Sequence, residues 1–193
     1  MASGATLTVD ASSFTTKTLT FDGTAESNGS FKITGGALAD VLKGGQKNDT
    51  LTGGGGTDQL TGNGGNDQFV LNKATAGNDV TIKDFTLVAN NNDVFALSNA
   101  AFTEAPAVGS TLTTSAVAGA PNANTTILVD TLATINAITG LGAVRFAYAT
   151  DTKELRYDAD GFNNGAASII IANSTNALTL AGGLSGNNFT IVA

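Results

Sequence analysis

Four nine-residue units follow one another without a gap from Gly35 to Val70: GGALADVLK, GGQKNDTLT, GGGGTDQLT and GNGGNDQFV. Gly opens each unit at 35, 44, 53 and 62, Asp recurs at 40, 49, 58 and 67, and a large apolar residue recurs at Leu42, Leu51, Leu60 and Phe69. A fixed short period is the mark of a solenoid. A low-complexity linker keeps no such period. Each unit divides into a six-residue Gly-rich turn and a three-residue strand, in which alternation sends only the middle side chain inward. Two units make one coil, so residues 18 apart stack at the strand spacing of about 4.8 Å. The expected fold is all-β: a right-handed parallel β-roll that continues into a β-sandwich-like C-terminal cap with one short helix.

The stacking has a chemical consequence. Asp40 comes to lie over Asp58, and Asp49 over Asp67. Carboxylates held that close repel unless a cation sits between them. Backbone carbonyls of the Gly-rich turns complete an all-oxygen cage, which suits Ca²⁺ better than Mg²⁺ with its rigid octahedral demand. One large inward residue per unit does not offset the ordering entropy of so much glycine. The repeat is therefore expected to be disordered without the ion and folded with it.

Composition narrows the chemistry further. The 193 residues include no His, Cys or Trp. That removes Ser-His-Asp and Cys-His catalysis, imidazole and thiolate metal sites, and any disulfide framework. With 24 Gly and only 2 Pro, short strands and tight turns are expected rather than helices. A net charge of -7 argues against nucleic acid as a partner and favours cations. No apolar run reaches the length of a membrane span, and no basic segment precedes an apolar one at the N-terminus, so neither a transmembrane segment nor a Sec-type leader is expected. Met1-Ala2-Ser3-Gly4 reads as the start of an excised domain.

The repeat resembles the calcium-binding nonapeptides of the repeats-in-toxin (RTX), or haemolysin-type, family. Downstream, FVL (69–71), NDVTIKDF (78–85) and NDVFALS (92–98) look like the stretch that closes the roll in serralysin-like proteases and S-layer proteins. ELRYDADG (154–161) and NFTIVA (188–193) look like the tails of such proteins, and LTVDASSF (7–14) and TLTFDGTA (18–25) like the rungs that precede the repeats in S-layer proteins. The resemblance implies one Ca²⁺ site from Gly36, Leu38 and Asp40 with Gly53, Gly55 and Asp58. It implies a second from Gly45, Lys47 and Asp49 with Gly62, Gly64 and Asp67. A third would use Gly54, Gly56 and Asp58, or Asn63, Gly65 and Asp67, closed by Asp79 or Asp84. Two departures from the pattern stand out. Position four, where Gly often serves a positive φ, is Leu38 and Lys47 in the first two units, so those turns are expected to be distorted or weak. One register earlier, ESNGSFKIT (26–34) has Phe31 where Asp belongs, so the repeat is expected to fade there into a calcium-free rung.

Three regions follow: N-terminal rungs (1–34), the calcium-binding roll with its closing segment (35–98), and a β-rich cap (99–193). Within the cap, residues 124–139 hold the one plausible helix, with Asp130 placed to N-cap it, Leu132, Ile135 and Ile138 at helical spacing, and Gly140 to end it. Residues 144–160 read as a β-hairpin, and SIIIA (168–172) and TLAGG (179–183) as further strands. DADGFNN (158–164) is half of a calcium-loop pattern and reads better as a polar turn. From Gly161 to Ala193 no residue is charged, which fits a buried sheet and, by the resemblance, the uncleaved export signal read by a type I secretion system.

The expected function is a non-enzymatic, calcium-binding C-terminal module of a secreted, S-layer-like bacterial surface protein, partnered by the type I machinery during export and by copies of itself. The alternative is the export and folding module of a secreted hydrolase. A glycan-binding module is disfavoured by the acidic balance and the few aromatic residues. An ice-binding face is disfavoured because the outward pairs Val41/Lys43, Thr50/Thr52, Gln59/Thr61 and Gln68/Val70 form no threonine array. A carboxylate enzyme would have to use Asp151, Glu154, Asp158 and Asp160, on a hairpin with no sign of a cleft.

Overall fold

The computed structural model describes residues 1–73, 76–77, 79–88, 91–102, 105, 107–108, 113–115, 126–130, 132–137, 145–158, 168–175 and 184–193. The expected strand at 179–183, Ile138 and Gly140 at the helix end, and most of the 158–164 loop lie outside those residues. The chain is a parallel β-solenoid of about five turns.

The strands of the roll alternate between two sheets. One sheet holds β1 (Thr6–Asp10), β3 (Ser30–Thr34), β5 (Thr50–Thr52), β7 (Gln68–Leu71), β11 (Val94–Ser98) and β17 (Phe189–Val192), in that order and all parallel. The other begins with β2 (Thr20–Asp22), β4 (Val41–Lys43), β6 (Asp58–Thr61) and β8 (Val80–Ile82), and then takes strands from the C-terminal region. Those are β16 (Ile169–Ser174), β15 (Glu154–Tyr157), β14 (Phe146–Ala149), β13 (Thr126–Asp130) and β12 (Thr113–Ser115). A small antiparallel pair, β9 (Leu87–Val88) and β10 (Asn91–Asn92), lies in the loop before β11. The described C-terminal strands thus extend the roll's own sheets, β17 the first and β12 to β16 the second. Pairing of β3 with β5 and of β11 with β17 carries the first sheet across residues 34/35 and 98/99.

The one-inward-residue rule builds the core. Val9, Ile33, Leu51, Phe69, Phe95 and Phe189 align across the first sheet. Phe21, Leu42, Leu60 and Ile82 align across the second. Leu42, Leu51, Leu60 and Phe69 are wholly buried, worth about 1.5–3 kcal/mol each. Where the nonapeptide ends, aromatic stacking takes over: Phe85 lies 4.3 Å from Phe95, and Phe95 lies 5.4 Å from Phe189, both with nearly parallel rings.

The short helix forms after Asp130, where Leu132 and Ile135 placed it: among the described residues of this stretch Leu132–Ala137 (α1) is helical, and 126–130 form β13, between β12 and β14. The N-cap differs from expectation, because Asp130 belongs to that strand, whose Thr-Ile-Leu-Val run suits a half-buried sheet. Asp130 therefore ends a strand. The carboxylate that accepts the Leu132 N–H at 2.8 Å belongs to Asp151, from the hairpin turn. That hairpin, β14 against β15, forms where the sequence placed it.

Candidate metal centre

Each unit's strand register puts its Asp at the start of the strand, on a turn edge of the roll. Two columns result. On one edge the order is Leu19, Asp40, Asp58, Val80; on the other it is Phe31, Asp49, Asp67, Asp93. Every Asp in them is at least 98 % buried. Successive members are tied by one repeated hydrogen bond, in which a backbone N–H donates to Oδ1 of the next residue in the column. Asp40 N–H to Asp58 and Asp49 N–H to Asp67 both span 2.8 Å, and Asp67 N–H to Asp93 spans 3.0 Å. Leu19 and Phe31 donate in the same way to Asp40 and Asp49, at 2.5 and 2.6 Å. Apolar residues thus hold the carboxylate position in the rungs before the repeat, as Phe31 suggested.

The turns stack through a second ladder. The third-position N–H of each unit donates to a carbonyl in the turn before it: Ala37 to Phe14, Gln46 to Glu26, Gly55 to Gly36 and Gly64 to Gly45, at 2.8–3.1 Å. The recurrent first Gly now has a cause. A Cβ at Gly35, Gly44, Gly53 or Gly62 would lie only 2.1–2.2 Å from Oδ2 of the same unit's Asp, so the carboxylate folds back over a residue that has no side chain.

The four turns fall into two kinds. In units one and two, Asp40 Oδ2 accepts the Gly36 N–H and Asp49 Oδ2 the Gly45 N–H, both at 2.6 Å. Neither Leu38 nor Lys47 has a positive φ. The turns are displaced from the Gly-type conformation, as the missing position-four glycines predicted, and the Lys47 side chain is exposed to solvent. In units three and four, Gly54, Gly56, Asn63 and Gly65 have φ of 101°, 90°, 67° and 110°. There Asp58 Oδ2 and Asp67 Oδ2 are buried with no hydrogen-bond partner.

Burial pushes Asp58 up to about 6 and Asp67 up to about 8, with the neighbouring carboxylates Asp40 for the first and Asp93, Asp49 and Asp84 for the second adding to the rise. Asp49 is raised by burial as well. A buried carboxylate oxygen left unpaired on each edge, above a second buried Asp of the same column and beside stacked turn carbonyls, is part of the donor set of a hard cation. Among the described residues no three acidic side chains gather to hold an ion by themselves, so carbonyls must supply the rest.

The two sequence-predicted closing residues both lie off the carboxylate columns. Asp79 sits one residue before Val80, which holds the column position, and its Oδ2 accepts Asn173 Nδ2 at 3.0 Å. Asp84 accepts the N–H groups of Gly62 at 2.9 Å and Asn63 at 2.7 Å. Sequence reasoning missed Asp93, the true successor of Asp67. Its Oδ2 accepts the Thr86 N–H at 2.7 Å, and burial raises it to about 6. The signal was present: Asn66-Asp67-Gln68-Phe69 recurs as Asn92-Asp93-Val94-Phe95, but 26 residues on rather than 18. Beside the column runs an asparagine ladder. Asn66 N–H donates to Asn48 Oδ1, Asn92 N–H to Asn66 Oδ1, and Asn188 Nδ2 to Asn92 Oδ1, at 2.8–3.0 Å.

Among families, the RTX calcium-binding nonapeptide repeat matches residues 34–69, as four copies. No curated protein and no solved structure matches the chain. The matched repeat binds Ca²⁺. The buried, unpartnered oxygens of Asp58 and Asp67 fit that ion.

Proposed function

We propose, from a chain whose residues 34–69 are four RTX calcium-binding repeats, that it is the calcium-folded module of a secreted bacterial surface protein. One Ca²⁺ is assigned to each edge of the roll. Gly36, Leu38, Asp40, Gly53, Gly55 and Asp58 hold the first, and Gly45, Lys47, Asp49, Gly62, Gly64 and Asp67 the second. The observation that carries this assignment is the pair of buried, unpartnered oxygens, Asp58 Oδ2 and Asp67 Oδ2, one on each edge. When bound, the ion neutralises the buried carboxylates and joins stacked turns. The chain's part is to present two Asp oxygens and the turn carbonyls in a cradle that only glycine at position one leaves open.

Low calcium inside the cell would keep the repeat unfolded for export through a type I system, and millimolar calcium outside would fold it. The charge-free C-terminal segment is the export signal in this reading, and after export its end would serve as β17, the strand paired with β11 in the first sheet. Residues 1–34 lead into the roll, 35–98 bind calcium, and 99–193 cap it. The threonine- and alanine-rich composition, the few charges and the LTVDASSF-type rungs support a surface module over the export module of a hydrolase.

The test is a titration of the chelator-stripped chain followed by far-UV circular dichroism and light scattering. A cooperative gain of β signal is expected at sub-millimolar to millimolar Ca²⁺ and not at equal Mg²⁺, with particle mass rising alongside. A stripped chain that is already fully β-structured, and indifferent to calcium, would defeat the reading.

A further inference from the structure

Turns two and four share the first-position Gly and the closing Asn-Asp pair but differ at positions two to four (Gly45-Gln46-Lys47 against Asn63-Gly64-Gly65), and they are arranged differently. In turn two (44–49) the second-position N–H closes on the unit's own carboxylate, Gly45 to Asp49 Oδ2 at 2.6 Å. In turn four (62–67) the corresponding N–H, that of Asn63, points away to Asp84 Oδ2 at 2.7 Å, and the Gly62 N–H donates to Asp84 Oδ1 at 2.9 Å. Asn63 then has φ 67°, a conformation that Asn tolerates better than most residues, and its Nδ2 donates to Gly44 O at 2.9 Å. The Asp67 Oδ2 left behind is buried and unpartnered, whereas the equivalent oxygen of Asp49 is not.

We propose that Asp84 is a positioning residue for the calcium site on this edge. It takes the two backbone N–H groups of turn four, one of which would otherwise close on Asp67, and so keeps Asp67 Oδ2 open to the ion. Each Asp84 oxygen accepts one of the turn's N–H groups, so the role proposed for it is to hold turn four open. The resemblance to known repeats had suggested a ligand here. The local geometry assigns Asp84 a place one step back, as the partner that preorganises a ligand. This inference rests on the assignment of one ion to Asp67, and the test separates the two.

Calcium binding is measured by calorimetry for the intact chain and for Asp67→Asn, Asp84→Ala, Asp84→Asn and the Asp67→Asn/Asp84→Ala double variant. Circular dichroism at saturating calcium monitors the fold. Asp67→Asn should abolish one of the two binding events. Asp84→Ala should weaken that same event by about 10–100-fold and leave the other unchanged. Asp84→Asn, which retains one acceptor oxygen, should fall between. The double variant should bind no more weakly than Asp67→Asn alone, because Asp84 acts through Asp67. If Asp84→Ala leaves both affinities intact, or its effect adds fully to that of Asp67→Asn, Asp84 is only a structural brace and the proposal is overturned. If Asp67→Asn keeps both binding events, the ion assignment fails and the proposal falls with it.

Discussion

Phe95→Ala should lower the unfolding free energy of the calcium-loaded chain by about 3–5 kcal/mol, as wholly buried aromatic truncations do. Phe95 is fully buried, stacked on Phe85 at 4.3 Å and on Phe189 at 5.4 Å, and aligned with Phe69 in the parallel register. It joins three pieces that the chain brings from far apart: the last calcium-type strand, the closing loop and the C-terminal strand. Removing the ring leaves a cavity that three flat neighbours from separate segments fill poorly. Phe14→Ala is the contrast. Phe14 is 44 % exposed, so its truncation should change stability by less than about 0.5 kcal/mol. Denaturant melts of both variants in saturating calcium make the comparison. A loss below about 1 kcal/mol for Phe95→Ala would show that the tail is not stacked on the roll.

The second large effect is on pH. Without metal, burial raises Asp58 to about 6, Asp67 to about 8 and Asp93 to about 6, while Asp in an unfolded chain titrates near 3.9. The folded, metal-free form therefore binds more protons than the unfolded form between about pH 4 and pH 8. The resulting stability is fully present below the unfolded value and is lost as pH rises through the folded values. The chelated chain should be most folded near about pH 5 and largely unfolded near about pH 8. Below about pH 4 the trend should reverse, because exposed Asp22 and half-buried Glu26, both held near 2 by their hydrogen bonds, lose those contacts on protonation. Calcium removes the need for those protons, so its stabilising effect should grow with pH across the same window. Circular dichroism with chelator and with calcium, at both pH values, measures it. A chelated chain that is more folded at the higher pH would contradict the burial of these carboxylates.

The parts of the molecule that a short period controls were legible in the residues. The period places Leu42, Leu51, Leu60 and Phe69 inward and stacks Asp40 on Asp58 and Asp49 on Asp67, all as found. Leu38 and Lys47 marked the turns that lack the positive φ of Gly56 and Gly65. Phe31 marked the end of the carboxylate column.

What escaped has one physical cause. Asp93 succeeds Asp67 across a longer rung that contains the β9/β10 pair, so counting by 18 steps past it. Asp84 reaches back 21 and 22 residues to two backbone N–H groups, a contact that leaves no side-chain pattern in either segment. The short helix was legible in Leu132 and Ile135, but its N-cap was not, because Asp130 is held in β13 by strands on both sides. Asp151 capping α1 is likewise a contact made by the fold, 19 residues away.

In the proposed reading two ions sit one on each edge of the roll, held by Asp58 and Asp67. Equilibrium dialysis with calcium measures it most directly, on the intact chain and on Asp58→Asn, Asp67→Asn and the double variant. Two ions for the intact chain, one for each single variant and none for the double variant are the predicted result, since each edge holds one unpartnered buried carboxylate oxygen. Two ions retained by the double variant would place calcium elsewhere and contradict the account.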